Sequence, residues 1–176
     1  GSHTASDALG NSDPQLTLVK GSMSLSSTKT DLVVSLTIAD LSATVPTGAS
    51  AADWYATWSY DGTTYFAQAQ LGALPESAVT YADGTIVLTG SEHQYESAHT
   101  DTGSFKAGKD GIIQIDVPLA NIGAPAAGAV LANPAGLTYT EEGVPPNPSG
   151  EGAASLQSVD SGGPTNNYKV GSTCPA

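Results

Sequence analysis

Apolar side chains along most of this chain alternate with polar ones, or fall in short runs bounded by Gly, Pro, Asp and Asn. The three-and-four spacing of an amphipathic helix is nearly missing, so the pattern predicts an all-β chain. Residues 15–25 and 31–41 read as a first strand pair around a turn at 26–30. In its second member Leu32, Val34, Leu36 and Ile38 share one face, and Val33, Ser35, Thr37 and Ala39 the other. Residues 45–51, with Pro46 and Gly48, read as a loop. Residues 54–60 and 63–70 then flank Asp61-Gly62, a pair suited to a two-residue type I′ turn because both central positions need positive φ. That turn sets Tyr60 opposite Thr63, Trp58 opposite Tyr65 and Ala56 opposite Ala67. One face of the hairpin carries Trp54, Ala56, Trp58, Tyr60, Tyr65, Ala67 and Ala69; the reverse carries Tyr55, Thr57, Ser59, Thr64, Phe66, Gln68 and Gln70. Burying one such ring stabilises a fold by roughly 1.5–3 kcal/mol, so the Trp-bearing face is expected to be core.

Further on, Asp83-Gly84 reads as a second tight turn, between strands at 79–82 and 85–89. The polar stretch 91–98 fits a loop or an edge strand. Residues 100–106 and 111–117 form another hairpin, and Pro118 suits the first turn of a short helix through Ile122. Strands are expected at 129–132 and 137–141. Residues 143–165, rich in Pro, Gly, Ser and Asn, read as a long loop and a candidate for mobility. A short strand at 167–170 closes the domain, and 171–176 reads as a linker stub. Gly1-Ser2-His3 has the look of a tag remnant opening a disordered start at 1–6, which leaves a single domain over 7–170. The expected architecture is an antiparallel sandwich of two sheets with at most one short helix, at 118–122.

Charge narrows the functions. With 5 Lys and Arg against 17 Asp and Glu the net charge is −12, which repels nucleic acid and anionic membrane surfaces. No apolar run approaches the roughly 20 residues of a membrane-spanning helix, so membrane insertion is not expected. The many Ser, Thr and Gly and the few Lys and Arg suit a secreted bacterial domain. Cys174, the single cysteine, either pairs outside this chain or is incidental.

Candidate chemistry is sparse. Tyr55 and Phe66, beside Gln68 on the polar face of the hairpin, would suit a ligand platform if exposed; a packed cover is the plainer account. Asp7, Asn11 and Asp13 supply hard oxygens suited to Ca²⁺, although an Asp/Asn-rich turn explains them as well. His93 and His99, near Glu92, Glu96 and Asp101, form a zinc set on paper only, and a solvated polar segment is the simpler reading. Met23 paired with a histidine could ligate haem, but Met23 with Leu25 reads more simply as core. No G-x-S-x-G elbow or phosphate loop is present, and Glu141 and Glu142, being adjacent, fall on opposite strand faces rather than across a cleft. An enzyme is not expected.

Four stretches in order, 7–18 (DALGNSDPQLTL), 32–41 (LVVSLTIADL), 54–69 (WYATWSYDGTTYFAQA) and 103–123 (GSFKAGKDGIIQIDVPLANIG), followed by the Tyr-Lys-Val-Gly of 168–171, resemble the DOMON-like and family 9 carbohydrate-binding modules of secreted bacterial proteins. Asn11 stands where the acidic opening of such modules would place a second Asp. The resemblance implies a jelly-roll-like sandwich with an accessory, non-catalytic role and ligands ranging over sugars and haem. The expected function is therefore an extracellular module that binds polysaccharide or cell-surface glycan. The alternative is a structural spacer, packed on a neighbouring domain of a secreted enzyme such as a protease and stabilised by Ca²⁺.

Overall fold

The computed structural model describes residues 2–4, 13–72, 78–90, 92–142, 155–162 and 166–172. Twelve strands and one 3-10 turn follow in order: β1 (Ser2–Thr4), β2 (Leu18–Leu25), β3 (Asp31–Leu41), β4 (Ala51–Tyr60), β5 (Thr63–Gly72), β6 (Val79–Thr89), β7 (Glu92–Thr100), β8 (Thr102–Lys106), β9 (Gly108–Pro118), the turn Leu119–Ile122, β10 (Val130–Glu142), β11 (Ser155–Gly162) and β12 (Tyr168–Lys169). They build two antiparallel sheets. Sheet A has the order β1-β2-β3-β9-β8, and sheet B the order β11-β10-β4-β5-β6-β7, with β12 paired to β10. The all-β sandwich read from the pattern is the fold, and the short helix at 118–122 is the single turn Leu119–Ile122. Strands β3 and β4 are wrapped by β9 and β10, one pair in each sheet, as in a jelly roll; β4 to β7 form a plain meander.

The core lies between the sheets where alternation placed it. Sheet A contributes Leu32, Val34, Leu36, Ile38, Ile113, Ile115 and Val117, and sheet B contributes Trp54, Trp58, Ala67, Ala69 and Leu71. The Asp61-Gly62 turn has positive φ at both residues, and the register behind it pairs Tyr60 with Thr63, Trp58 with Tyr65 and Ala56 with Ala67. Ala69 opposite Trp54 leaves that indole room to project toward sheet A, while the ring of Trp58 stacks on that of Tyr65 at 6.4 Å. There the ring of Trp54 meets that of Phe105 edge-on at 5.8 Å. Polar atoms on the inner face of sheet B catch the segment before β2: Trp54 Nε1 donates to the Gln15 carbonyl at 3.2 Å and Thr138 Oγ1 to the Leu16 carbonyl at 2.9 Å. The two sheets are thereby tied at one end by hydrogen bonds as well as by packing.

Several expectations change. Asp83-Gly84 is no turn, because β6 runs unbroken through it and the pairing with β7 shifts register there instead. Two contacts outweigh the turn propensity: Asp83 is buried and hydrogen-bonded, and Gly84 lies where a Cβ would sit 2.0 Å from the Glu96 carbonyl and 2.8 Å from the Phe66 ring. Residues 91–98 are largely the edge strand β7. The strands expected at 129–132 and 137–141 are one strand, β10, whose pairing with β4 slips between Ala132 and Ala135, around Asn133 at positive φ and Pro134. Within the expected loop 143–165, Ser155–Gly162 is strand β11, which covers the free edge of β10. Ser2–Thr4, expected to be unstructured, similarly adds a strand to the free edge of β2.

Gly84→Ala therefore forces a backbone collision, whereas a Cβ at Gly72 meets nothing within 4 Å. Chemical denaturation is expected to show Gly84→Ala destabilised by about 1–3 kcal/mol, the usual range for overpacking, and Gly72→Ala close to the parent.

Candidate functional site

Strand β4 is buried along residues 51–58, on both faces, although its outer face points away from the other sheet. The cover on that side is aromatic. Tyr55 on β4 and Phe66 on β5 are met by Tyr95 from β7 and Tyr139 from β10. The ring centroids lie 5.6 Å apart for Tyr55 and Phe66, 4.8 Å for Tyr55 and Tyr95, 5.5 Å for Tyr55 and Tyr139, and 5.4 Å for Phe66 and Tyr95. The hydroxyls of Tyr95 and Tyr139 hydrogen-bond to each other at 3.2 Å. Yet β4, β5 and β6 lie between the strands that carry them. Four strand spacings in a flat sheet would cover about 19 Å, so sheet B must bend into a trough whose concave, outer face holds the four rings.

The sequence placed Tyr55 and Phe66 together on this face, and they are in contact there. They are not exposed, however: Tyr55 retains 4% of its accessible surface and Phe66 none. The rings partly open to solvent are Tyr95 and Tyr139, which alternation along their own strands did not single out. Burial, followed by the nearby Asp53 and Tyr95, raises the Tyr55 phenol above its ordinary value, and burial with the Tyr139 hydrogen bond does the same for Tyr95. The hydroxyls of Tyr55 and Tyr95 therefore stay protonated and can donate.

Beside the rings on the same face runs a string of amides and carboxyls. Gln68 Nε2 donates to Asp53 Oδ1 at 2.7 Å, and Gln70 Nε2 donates both to Asp53 Oδ1 at 3.0 Å and to Glu141 Oε1 at 2.9 Å. Asp53 is fully buried, and its second oxygen, Oδ2, accepts no hydrogen bond. Burial pushes its carboxyl up to about 7; the hydrogen bond from Gln68 opposes this, and the charge of Glu141 adds to it. Gln68, expected as a ligand contact, is thus the support of a buried acid, while remaining partly exposed.

A second polar cluster lies at the side of the sandwich where β7 crosses to β8. Asp83, 1% exposed, accepts from His99 Nδ1 at 2.7 Å and from Asn121 Nδ2 at 2.6 Å. Asp101 anchors the crossing by donating its backbone N–H to the Tyr81 carbonyl at 2.9 Å. Neither of its carboxyl oxygens has a hydrogen-bond donor, and burial together with the charge of Asp83 pushes it up to about 7. His99 serves Asp83, while His93 is exposed on the opposite face of β7; among the described residues no group of three or more His, Cys, Asp or Glu is arranged to hold a metal. Met23 is core. Of the residues considered for Ca²⁺, Asp7 and Asn11 lie outside the described residues. Asp13 closes a turn, its Oδ1 accepting from the Gln15 N–H at 2.9 Å. No protein-family profile, curated protein or solved structure matches the chain.

Both raised acids give the folded state a proton that the unfolded chain, with carboxyls near 3.8, has already lost. Their contribution to stability is full below about pH 4 and declines as pH rises toward and through 7. Urea denaturation is expected to give a higher midpoint at pH 5 than at pH 8, and Asp101→Asn to flatten that slope.

Proposed function

We propose that the trough of sheet B is a carbohydrate-recognition surface, and that the chain is a non-catalytic accessory module of a secreted protein which holds a polysaccharide or cell-surface glycan. One observation carries this reading: partly exposed aromatic rings and partly exposed amides converge in the same concave surface. Tyr95 and Tyr139 supply ring edges and hydroxyls, and Gln68 and Gln70 supply amides along one flank. Sugars need this combination, since each ring has apolar C–H faces and a rim of hydroxyls that both donate and accept. Tyr55 and Phe66 form the floor, and their mutual packing holds the outer rings in place at no cost in new side-chain ordering.

Binding without turnover accords with the carboxyls. The Gln70 amide sits between Asp53 and Glu141, so neither a glycosidic bond nor a water has room there, and Asp53 is sealed from solvent. A module of this kind keeps an attached partner near its substrate by raising effective concentration.

Truncating Tyr55 or Phe66 would empty a buried cluster and confound binding with folding. Tyr95→Ala and Tyr139→Ala are the informative changes. In pull-downs on a panel of insoluble polysaccharides the parent chain is expected to be retained on at least one, and each variant to lose about tenfold or more in affinity, the loss of roughly 1.4 kcal/mol of ring contact. Unchanged retention of both variants, with parental circular dichroism, would remove the trough as the site.

A further inference from the structure

The buried acid fixes which way the two glutamines face. Gln70 spends both amide hydrogens on carboxyls, one on Asp53 Oδ1 and one on Glu141 Oε1, and Gln68 spends one on Asp53 Oδ1. These bonds hold whether Asp53 is ionised or carries a proton on Oδ2, because Oδ1 accepts in either form. Turning Gln70 over would set its carbonyl oxygen against two carboxyl oxygens. With the nitrogens committed to the acids, each amide is left with its Oε1 atom. Among the described residues neither Oε1 is hydrogen-bonded, and neither is sealed from solvent. Asp53, directly opposite Gln70 in the register and itself buried, is therefore a positioning residue that turns two acceptors toward the trough.

Resting on the trough as a carbohydrate site, we infer that the Gln68 and Gln70 carbonyls form an acceptor flank, which makes the ligand class a neutral polysaccharide with unsubstituted hydroxyls rather than a uronic-acid or sulfated one. Every free sugar hydroxyl can donate, whereas a carboxylate or sulfate only accepts and would leave these oxygens unpaired. Tyr95 and Tyr139 do not redress the balance, since one of their two hydroxyls is spent on the other. The partly exposed Glu141 adds a further acceptor at the same margin, and the net charge of −12 opposes an acidic chain at longer range. Salt separates the two contributions. At about 1 M it shortens the screening length to about 3 Å, which removes the long-range repulsion and leaves the mismatch at the contact.

Isothermal titration with xylan, mixed-linkage β-glucan and galactomannan, each beside its O-methylated form, and with polygalacturonate at about 0.15 M and about 1 M NaCl, tests this. The parent chain is expected to bind at least one neutral polysaccharide about tenfold or more tighter than its O-methylated form, as two neutral hydrogen bonds imply, and polygalacturonate at neither salt concentration. The double variant Gln68→Met, Gln70→Met keeps side-chain length and removes both carbonyls. It is expected to bring that ratio close to one, whereas a purely structural role for the glutamines would weaken both forms alike and leave the ratio standing. A ratio that survives the double change overturns the acceptor flank while leaving the trough as a glycan site. So does Tyr95-dependent binding by the parent that shows no methylation penalty, or that takes polygalacturonate in the higher salt; these two measurements need no variant of the glutamines to fold. No binding of any probe, or binding that Tyr95→Ala and Tyr139→Ala leave unchanged, overturns both.

Discussion

Burial of β4 on both faces is the constraint from which the rest of the molecule follows. Its inner face carries Trp54 and Trp58, which need deep cover, and only a second sheet with branched aliphatic side chains such as Leu36, Ile38 and Ile113 supplies it. Its outer face carries Tyr55 and Asp53, which need cover as well, and the described residues form no third layer there. Sheet B resolves this by bending until Tyr95 from one flank and Tyr139 from the other meet over the middle. Bending requires a strand that can be approached closely. Gly84 meets that need on β6, where the Phe66 ring and the β7 backbone both press against a position without a side chain. The concavity is therefore a packing result first, and the proposed binding surface follows from it.

The chain holds two of its buried acids, Asp53 and Asp83, mostly without cations, having only five Lys and Arg to draw on. Asp53 rests on the amides of Gln68 and Gln70, and Asp83 on Asn121 and on the ring of a half-exposed His99. Amide donors differ from guanidinium or ammonium donors in one respect that matters here. They bond to a carboxyl whether or not it is ionised, and so tolerate a group that exchanges a proton near neutrality. A lysine at Gln70 would instead hold Asp53 and Glu141 in their charged forms.

How much of this was legible in the sequence depended on the range of the interaction. The hairpin register around Asp61-Gly62, the inner faces of β3 and β4 and the turn after Pro118 are set by neighbours within a few residues, and period-two alternation reveals them. Asp83-Gly84 misled because the same dipeptide serves two purposes. Locally it favours a turn, but a buried hydrogen-bond network reaching to Asn121 and a close contact with Glu96 keep it extended. The trough was the least legible feature. Tyr95 sits in a polar edge strand and Tyr139 44 residues further on, and neither strand's pattern says that a bent sheet brings their hydroxyls together. The one available signal was an imbalance: the outer face of the central hairpin holds two large rings, Tyr55 and Phe66, that something had to cover.

That imbalance also explains why the proposed recognition surface lies on sheet B and not on sheet A. The outer face of sheet A, with Lys20, Ser22, Ser35, Thr37, Ser104 and Gln114 at its paired positions beside Val33 and Ile112, is mostly polar and carries no ring among the described residues; Phe105 on β8 turns inward to Trp54. Such a face offers no ring for a sugar to rest on, so a ligand would gain little by displacing water there. In the trough the opposite holds. The rings are already packed against one another, their ordering entropy is spent during folding, and the polar groups at their margin are fixed by hydrogen bonds to buried partners. A preorganised surface loses little freedom on binding, so the proposed site needs no deep pocket.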